Sequence, residues 1–341
     1  MTTSEAEEIR KIVEVQSLLA GIIFTSGSNA IVAKASRLLE ACWGNDGIRE
    51  KLVDSLVSSD PNMGVAILAA QLLPTLYSHE NLSTKVKAFL LELTAKTLLM
   101  SKTKWDKNAL KKLEPFLKLV SLEEFKEKIL PAMNKSLLRT PEICLSVVSV
   151  VIRSLTLDMS SFVPELTPNF CASLKSKDDL CREDAVEAVQ ALAGQCNQAA
   201  VEKLLDSIFS TLSGKDGKIS LNTVKVSLLS AAGSITDSGL STEVLVNLSS
   251  MATKRLVKFL QEESHEATMV VALEQMSRFS KSFSGSIPDE FIAWTPKVLS
   301  DKNSSSAVKC GVLMCLSSSL NSSTMSSATK LVQPLMKVYY F

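Results

Sequence analysis

The segment "SLEEFKEKILPAMNKSLLRTPEI", residues 121–143, carries the pattern that decides the fold. Ser121 and Glu124 have the spacing of a capping box, which marks the start of a helix. Pro131 predicts a kink further on, because proline lacks a backbone N–H and crowds the preceding turn. Two interpretations are open here: a free amphipathic binding helix, or the first helix of a repeating unit. One apolar stripe recurs at every fourth position, formed by Phe125, Ile129, Met133 and Leu137.

The end of this segment recurs along the chain. The intervals between successive copies are 43, 39, 36, 38, 48 and 39 residues. A period of about 40 residues with two helices per unit is typical of HEAT or armadillo arrays. The repeat favours the second interpretation and predicts that each closing leucine is buried where a helix pair ends. A leucine that closes an apolar helix before a short polar turn stands at Leu56, Leu99, Leu138, Leu174, Leu212, Leu260 and Leu299.

The second helix of each pair has the apolar character that a covered helix needs. The stretch "PEICLSVVSVVIRSLT", residues 141–156, is apolar around most of its circumference. Thr140 and Asp60 each precede a proline, which predicts N-caps with proline at the first helical position. After Leu212, steps of three and four residues predict one buried stripe, formed by Leu221, Val224, Leu228, Ala231 and Ile235.

These patterns predict an all-α fold, a right-handed α-solenoid of HEAT/armadillo-like antiparallel helix pairs with about six and a half repeats. We expect a single continuous array over residues 1–341. A final helix at 326–341 has no partner helix to cover its apolar residues, whereas solenoids normally end in a polar cap. We therefore expect the array to be truncated at its C-terminal end, as a piece of a longer protein or a truncated gene model.

The composition agrees with a helical protein of the cytosol. Apolar residues make up 46% of the chain but aromatic residues only 5%, which disfavours β-rich folds. The start, "MTTSEAEEIRK", is polar where a secretory signal would be apolar, and the longest apolar runs are too short to span a bilayer. The seven cysteines are scattered, as reduced core thiols are. The sequence therefore predicts a cytoplasmic protein without a membrane partner.

The residues that catalysis or metal binding would require are scarce. The two histidines, His79 and His265, lie at helix starts or turns, and no Ser/His/Asp or Cys/His arrangement can be built from them. The cysteine spacings differ from those of zinc sites, and no phosphate-binding glycine motif occurs. We therefore predict no catalytic residues, no cofactor, no metal and no small-molecule substrate.

One local cluster of positive charge stands out from a chain whose net charge is only +1. Between Lys96 and Lys118, seven lysines stand against Asp106 and Glu114. Basic residues beside an aromatic ring such as Trp105 can hold phosphates and stack on a base. The alternative is an ordinary solvated outer face with the tryptophan packed beneath it. The candidate contact residues, predicted at the turn within the third helix pair, are Lys102, Lys104, Lys107, Lys111 and Lys112.

Six segments, in this order and spacing, carry a family resemblance over roughly residues 15–320. The chain resembles the amino-terminal HEAT-repeat region of the general control nonderepressible translational activator family. The segments are "LLMSKTK" (98–104), "EEFKEKILPAMNKSLLRTPE" (123–142), "SLTLDMSSFVPEL" (154–166), "EDAVEAVQALAGQC" (183–196), "GKDGKISLNTVKVSLLSAAGSI" (214–235) and "FLQEESHEATMVVAL" (259–273).

This resemblance implies a non-catalytic scaffold on translating or collided ribosomes. It implies a part of an activator of the initiation factor 2-alpha kinase in the amino-acid starvation response. The expected partner is the ribosome, through protein and rRNA, whereas the kinase is reached only through regions absent from this chain. No contact residue of the family can be carried over, so the lysine cluster remains an inference from charge. The alternative function is another HEAT or armadillo adaptor, such as a nuclear transport receptor or a phosphatase scaffold.

Overall fold

The computed structural model of the chain describes residues 46–58, 62–215, 217, 219–282, 288–320 and 336. Within these residues, all regular secondary structure is helical. The first eight helices are α1 (Asp46–Val57), α2 (Met63–Leu72), α3 (Glu80–Leu93), α4 (Lys107–Lys111), α5 (Glu114–Leu117), α6 (Leu122–Glu124), α7 (Leu130–Arg139) and α8 (Pro141–Ser154). The next eight are α9 (Val163–Leu174), α10 (Asp179–Ala193), α11 (Gln198–Leu212), α12 (Asn222–Ser234), α13 (Thr242–Glu262), α14 (Glu266–Ser282), α15 (Asp289–Ser300) and α16 (Ser306–Leu320).

The chain divides into two compact units, Met1–Leu157 and Asp158–Phe341. The predicted all-α class built from repeated helix pairs is confirmed in both. Continuity of one array over residues 1–341 stays a prediction, and the predicted terminal helix at 326–341 lies outside the described residues, apart from Met336.

The first unit has two layers of helices. One layer contains α1, α3 and the α6–α7 helix, and the other contains α2, α4, α5 and α8. Helix α8 contacts α7, α4 and α5, and every one of its residues from Cys144 to Ile152 is buried. The prediction of a second helix covered on more than one side is therefore confirmed.

The segment that decided the fold begins as predicted. The Ser121 N–H donates to Glu124 Oε2 at 2.8 Å, and the Glu124 N–H donates to Ser121 Oγ at 3.2 Å, which completes the capping box. The apolar stripe is confirmed, because all four of its members are buried. Their exposed fractions are 0% at Phe125, 0% at Ile129, 0% at Met133 and 4% at Leu137.

A π turn, Phe125–Ile129, lies between α6 and α7 and ends two residues before Pro131. The Leu130 N–H bonds to the carbonyl of Phe125, five residues back. Residues four apart drift by about 40° per step around a regular α-helix. The wider π turn offsets part of that drift, so a stripe with a period of four stays on one face. The proline is accommodated within this helix at the start of α7.

The prediction for Leu138 is wrong. Its side chain is 75% exposed, whereas Leu137 beside it is 4% exposed. Successive helical residues point about 100° apart, and the stripe through Met133 fixes the buried direction at Leu137. The six other closing leucines are buried as predicted, with exposed fractions between 0% and 8%.

Two helix starts differ in detail from the predictions. Leu221 is the N-cap residue of α12 and is 51% exposed, so it lies outside the predicted stripe, whose other four members are buried. Thr140 precedes Pro141 as predicted, but its side chain makes no capping hydrogen bond. Asp60 and its proline lie outside the described residues. Helix α2 begins at Met63, where the Asn62 side chain accepts the capping bond.

The described residues of the second unit form four helix pairs, α9/α10, α11/α12, α13/α14 and α15/α16, each joined by a short turn and therefore antiparallel. Its first helices pack side by side in one layer, and its second helices form the other layer. The turn after α11 contains Gly214 at φ 77° and Gly217 at φ 123°, a backbone region that favours glycine. This turn is a link between helices, as predicted.

The described residues contain no helix with the length and apolar character that a membrane crossing requires. The six cysteines in the described part of the chain form no disulfide bond with one another, and four of them are buried. The seventh, Cys42, lies outside the described residues. The prediction of reduced core thiols therefore holds for the four buried residues, whereas Cys310 is exposed.

Candidate nucleic-acid interface

The basic turn, which we define as residues 101–112, is anchored to the core at both ends. Leu98 and Leu99 precede it and are 1% and 0% exposed. Leu110 lies near its end and Leu113 just beyond it, and they are 1% and 2% exposed. These four leucines fix the ends of the turn and leave the intervening side chains room to project into solvent.

Local hydrogen bonds shape the turn between these anchors. Ser101 Oγ donates to the Thr103 carbonyl at 2.7 Å and accepts the Thr103 N–H at 3.0 Å. The Asp106 carboxylate accepts the Ala109 N–H at 2.9 Å and so caps α4. Pro115 opens α5 directly afterwards, and the second helix of this pair is therefore split into two short pieces.

The five predicted lysines all lie in this turn. Lys102, Lys104 and Lys111 are exposed, whereas Lys107 and Lys112 are partly exposed. Lys107 and Lys111 are four residues apart on α4 and therefore share one side of that helix. The structure thus brings the five lysines together in one surface segment, and their role in binding stays a prediction.

Two acidic residues near the turn, Glu92 and Glu114, pair with lysines outside these five. Lys96 pairs with Glu92 at 2.5 Å, and Lys118 pairs with Glu114 at 2.6 Å. The hydrogen bond from Lys96 holds the pKa of Glu92 below its usual value, and the charges of Lys96 and Lys128 act in the same direction.

Sequence reasoning missed Lys128 as a neighbour of this region. It is exposed in the π turn Phe125–Ile129, which contacts a second π turn, Thr94–Leu98, just before the basic turn. No spacing in the sequence indicates this proximity, because it depends on two turns that depart from regular helix geometry.

Trp105 is partly buried within the turn. Its indole Nε1 is inaccessible and has no hydrogen-bond partner among the described residues. A buried donor without a hydrogen bond destabilises the folded state by about 1–3 kcal/mol. Burial of the Trp105 N–H therefore lowers the stability of the fold. The ring is therefore packed at its polar edge and partly exposed elsewhere, and its part in binding stays a prediction.

Each of the two histidines lies directly before a helix and contacts a neighbouring side chain. His265 caps α14, where its Nδ1 lies 2.9 Å from Thr268 Oγ1 and accepts the Thr268 N–H at 3.3 Å. His79 precedes α3 and contacts Arg49 through its Nε2. In the part of the chain that the structure describes, no group of three or more His, Cys, Asp and Glu could hold a metal ion.

The fold and the basic turn together define an all-α protein of HEAT-like helix pairs with a cationic surface segment. Residues 87–219, which include the basic turn, match the family model described as the stalled ribosome sensor GCN1 N-terminal region. Over 334 residues, or 96% of the chain, the sequence is 33% identical to the stalled ribosome sensor GCN1 of Homo sapiens and, equally, to that of Mus musculus. The chain belongs to the GCN1 family, which confirms the resemblance noted in the sequence.

The chain spans 12% of the length of the human and mouse relatives. Protein ILITYHIA of Arabidopsis thaliana is 25% identical over 254 residues, which cover 74% of this chain and 9% of that protein. Among solved structures, the karyopherin Kap121p bound to the SUMO protease Ulp1p gives a TM-score of 0.44 at 17% identity. That match covers 95% of this chain and 29% of the karyopherin. An engineered protein gives a TM-score of 0.39 at 17% identity, covering 98% of this chain and 89% of its own.

Proposed function

We propose that this chain is a non-catalytic, ribosome-associated scaffold that acts in the cellular response to stalled ribosomes. The observation that carries the proposal is the 33% identity, over 96% of the chain, to a protein named as a stalled ribosome sensor. The chain works in the cytosol as part of the system that activates the initiation factor 2-alpha kinase during amino-acid starvation. The kinase itself is contacted by regions outside these residues.

A stack of helix pairs suits this role physically. Each pair buries its apolar residues between two layers, so the turns and outer faces are available for contact without loss of the core. The basic turn is such a segment, because its leucine anchors are buried while Lys102, Lys104 and Lys111 are exposed.

The basic turn is the proposed contact with rRNA. Charges separated by more than about 8 Å are largely screened at physiological salt, so a local cluster matters more than the net charge. Residues 62–157 carry 14 Lys and Arg against 8 Asp and Glu, although the whole chain has a net charge of only +1. Phosphate neutralisation by such a cluster gives binding that does not depend on base sequence.

Sedimentation of the 341-residue chain with ribosomes on sucrose gradients tests the proposal. We expect the wild-type chain in the ribosome fractions and a reduced share there after the five lysines of the basic turn are replaced by serine. A transport receptor or phosphatase scaffold would stay at the top of the gradient, and this result would refute the proposal. Ribosome association that survives the five substitutions would refute only the rRNA contact through the basic turn. A matched control replaces five exposed lysines of the second unit, Lys175, Lys177, Lys203, Lys254 and Lys258.

A further inference from the structure

A groove in the second unit lies between the C-terminal ends of α13 and α15. Its volume is about 500 Å³, enough for one or two large side chains of a partner. The floor is apolar, whereas the rim carries charged and polar residues from the turns that follow both helices. The floor consists of Leu260, Met269, Trp294, Val298 and Val308.

Trp294 gives this floor a fixed aromatic surface. The fully buried ring of Phe291 packs against it, with ring centroids 5.7 Å apart and planes inclined by 36°. Trp294 itself remains partly exposed to the groove and solvent. Phe291 therefore supports part of the indole ring from the core, and the part of the ring that faces the groove can receive a ligand.

The rim of the groove favours a positive charge. Glu266 and Asp301 are exposed carboxylates that line it, and Lys297 is the cation of the lining. A third carboxylate, Glu263, is already satisfied by Lys225 at 2.7 Å and by two backbone N–H groups at 2.9 Å.

The part of this unit up to residue 320 has a net charge of the same sign as this rim. Residues 158–320 carry 15 Lys and Arg against 19 Asp and Glu, the opposite balance to residues 62–157. The rim itself, with the carboxylates of Glu266 and Asp301 against one lysine, disfavours a phosphate-bearing partner and attracts a cationic one.

We propose that this groove docks a basic, arginine-bearing segment of a partner protein. A guanidinium is planar, so it stacks on the Trp294 ring while its N–H groups reach the carboxylates of Glu266 and Asp301. The aliphatic stem of the arginine packs on Met269. Lysine fits less well, because its compact ammonium is more strongly hydrated and cannot stack. The surface and the partner chemistry both differ from those of the basic turn, so this proposal goes beyond the proposed function.

Fluorescence anisotropy of a labelled peptide of alternating glycine and arginine, added to the 341-residue chain, tests the proposal. We expect saturable binding that weakens about three- to thirtyfold in Trp294→Leu, which corresponds to the removal of one cation–π interaction. The double variant Glu266→Gln/Asp301→Asn should also bind more weakly. Glu290→Gln is the control for the loss of one surface carboxylate, because Glu290 is exposed on α15 but does not line the groove. The same peptide with lysine in place of arginine should bind less tightly than the arginine peptide.

Three outcomes would overturn the proposal. The first is no binding of the arginine peptide to the wild-type chain. The second is equal binding of the arginine and lysine peptides with no effect of Trp294→Leu, because this result indicates diffuse charge attraction. The third is binding of a labelled oligouridylate that is lost in Trp294→Leu, because the groove would then be a nucleic-acid binding site. Circular dichroism of each variant verifies that it retains the helical fold.

Discussion

Gly233 on α12 lies directly against the side chain of Gln275 on α14. A Cβ atom at Gly233 would come within 1.7 Å of Gln275 Oε1 and 2.6 Å of its Cδ. Gln275 is 5% exposed, and its Oε1 has no hydrogen-bond partner among the described residues. The two helices of the second layer therefore approach each other through a residue that has no side chain.

We expect Gly233→Ala to destabilise the chain by about 1–3 kcal/mol, because a buried glutamine has little room to move away. The higher helix propensity of alanine would by itself stabilise α12 by about 1 kcal/mol. Urea unfolding followed by circular dichroism measures the net change. In the double variant Gly233→Ala/Gln275→Ala the clash is absent, and part of the stability should return. A Gly233→Ala variant more stable than wild type would show that the Gln275 side chain can move away without a loss of stability.

The adjacent leucines at the end of α7 give a matched pair of substitutions. We expect Leu137→Ala to cost about 2–5 kcal/mol, since it removes a side chain that is 4% exposed and leaves a cavity. Leu138→Ala should change stability by less than about 0.5 kcal/mol, since its side chain is 75% exposed. Thermal and urea unfolding of both variants measure the difference. Equal costs would contradict the helix phase described for α7.

RNA binding by the basic turn should depend on salt. We expect the affinity for oligouridylate or purified ribosomes to fall as salt rises. Replacing the five lysines with serine should reduce the slope of log affinity against log salt by up to about one unit for each phosphate that is no longer neutralised. The melting temperature should stay nearly unchanged, because exposed charges contribute little to stability. Equal affinities and slopes in wild type and variant would show that the five lysines form a solvated surface that does not bind RNA. The matched control with five substituted lysines in the second unit, which has the same change in charge, should keep the wild-type slope.

Acid should weaken the contact between Lys225 and Glu263. Burial raises the pKa of Glu263, but hydrogen bonds from Lys225 and from two backbone N–H groups outweigh it and hold the pKa below its usual 4.5. A carboxylate with a lowered folded pKa stabilises the fold above its unfolded pKa, and that contribution is lost as pH falls through the folded value. We therefore expect the stability that this pair contributes to be present at neutral pH and to decline below about pH 4.5.

Lys225→Met tests this expectation. The variant should be less stable than wild type by about 1–3 kcal/mol at neutral pH, because Glu263 keeps a buried charge with fewer partners. The difference should shrink as the pH is lowered, because the remaining carboxylate becomes protonated. Urea unfolding at a series of pH values measures both effects. Lys254→Met, at an exposed position on α13, is the control, and a difference that stays constant with pH would contradict the assignment.

The buried positions of this fold follow from the sequence wherever spacing alone decides them. The stripe from Phe125 to Leu137 and six of the seven closing leucines are buried as predicted. Leu138 is the exception, because two adjacent leucines are equally apolar and only the helix phase separates them. The sequence carries that phase in the stripe, which contains Leu137, since a residue one position further along points about 100° away.

The two candidate surfaces differ in how far the sequence predicts them. The basic turn is contiguous in sequence, so its five lysines could be predicted from spacing and charge. The groove beside Trp294 combines residues from α13, α14, α15 and α16 and from the turns that join α13 to α14 and α15 to α16. Glu266 and Asp301 stand 35 positions apart, and their shared groove depends on how the helix pairs stack. Composition and periodicity carry no such information.

The π turn Phe125–Ile129 holds one residue more than an α turn would need. In an ordinary helix, a single inserted residue rotates everything beyond it by about 100° and turns the apolar face away from its neighbours. Here the surplus residue is absorbed locally, with the capping box at one end and Leu137 at the other still in register. Deleting one residue of this π turn would convert it into an α turn without rotating α7, so the buried face of α7 would keep the same partners.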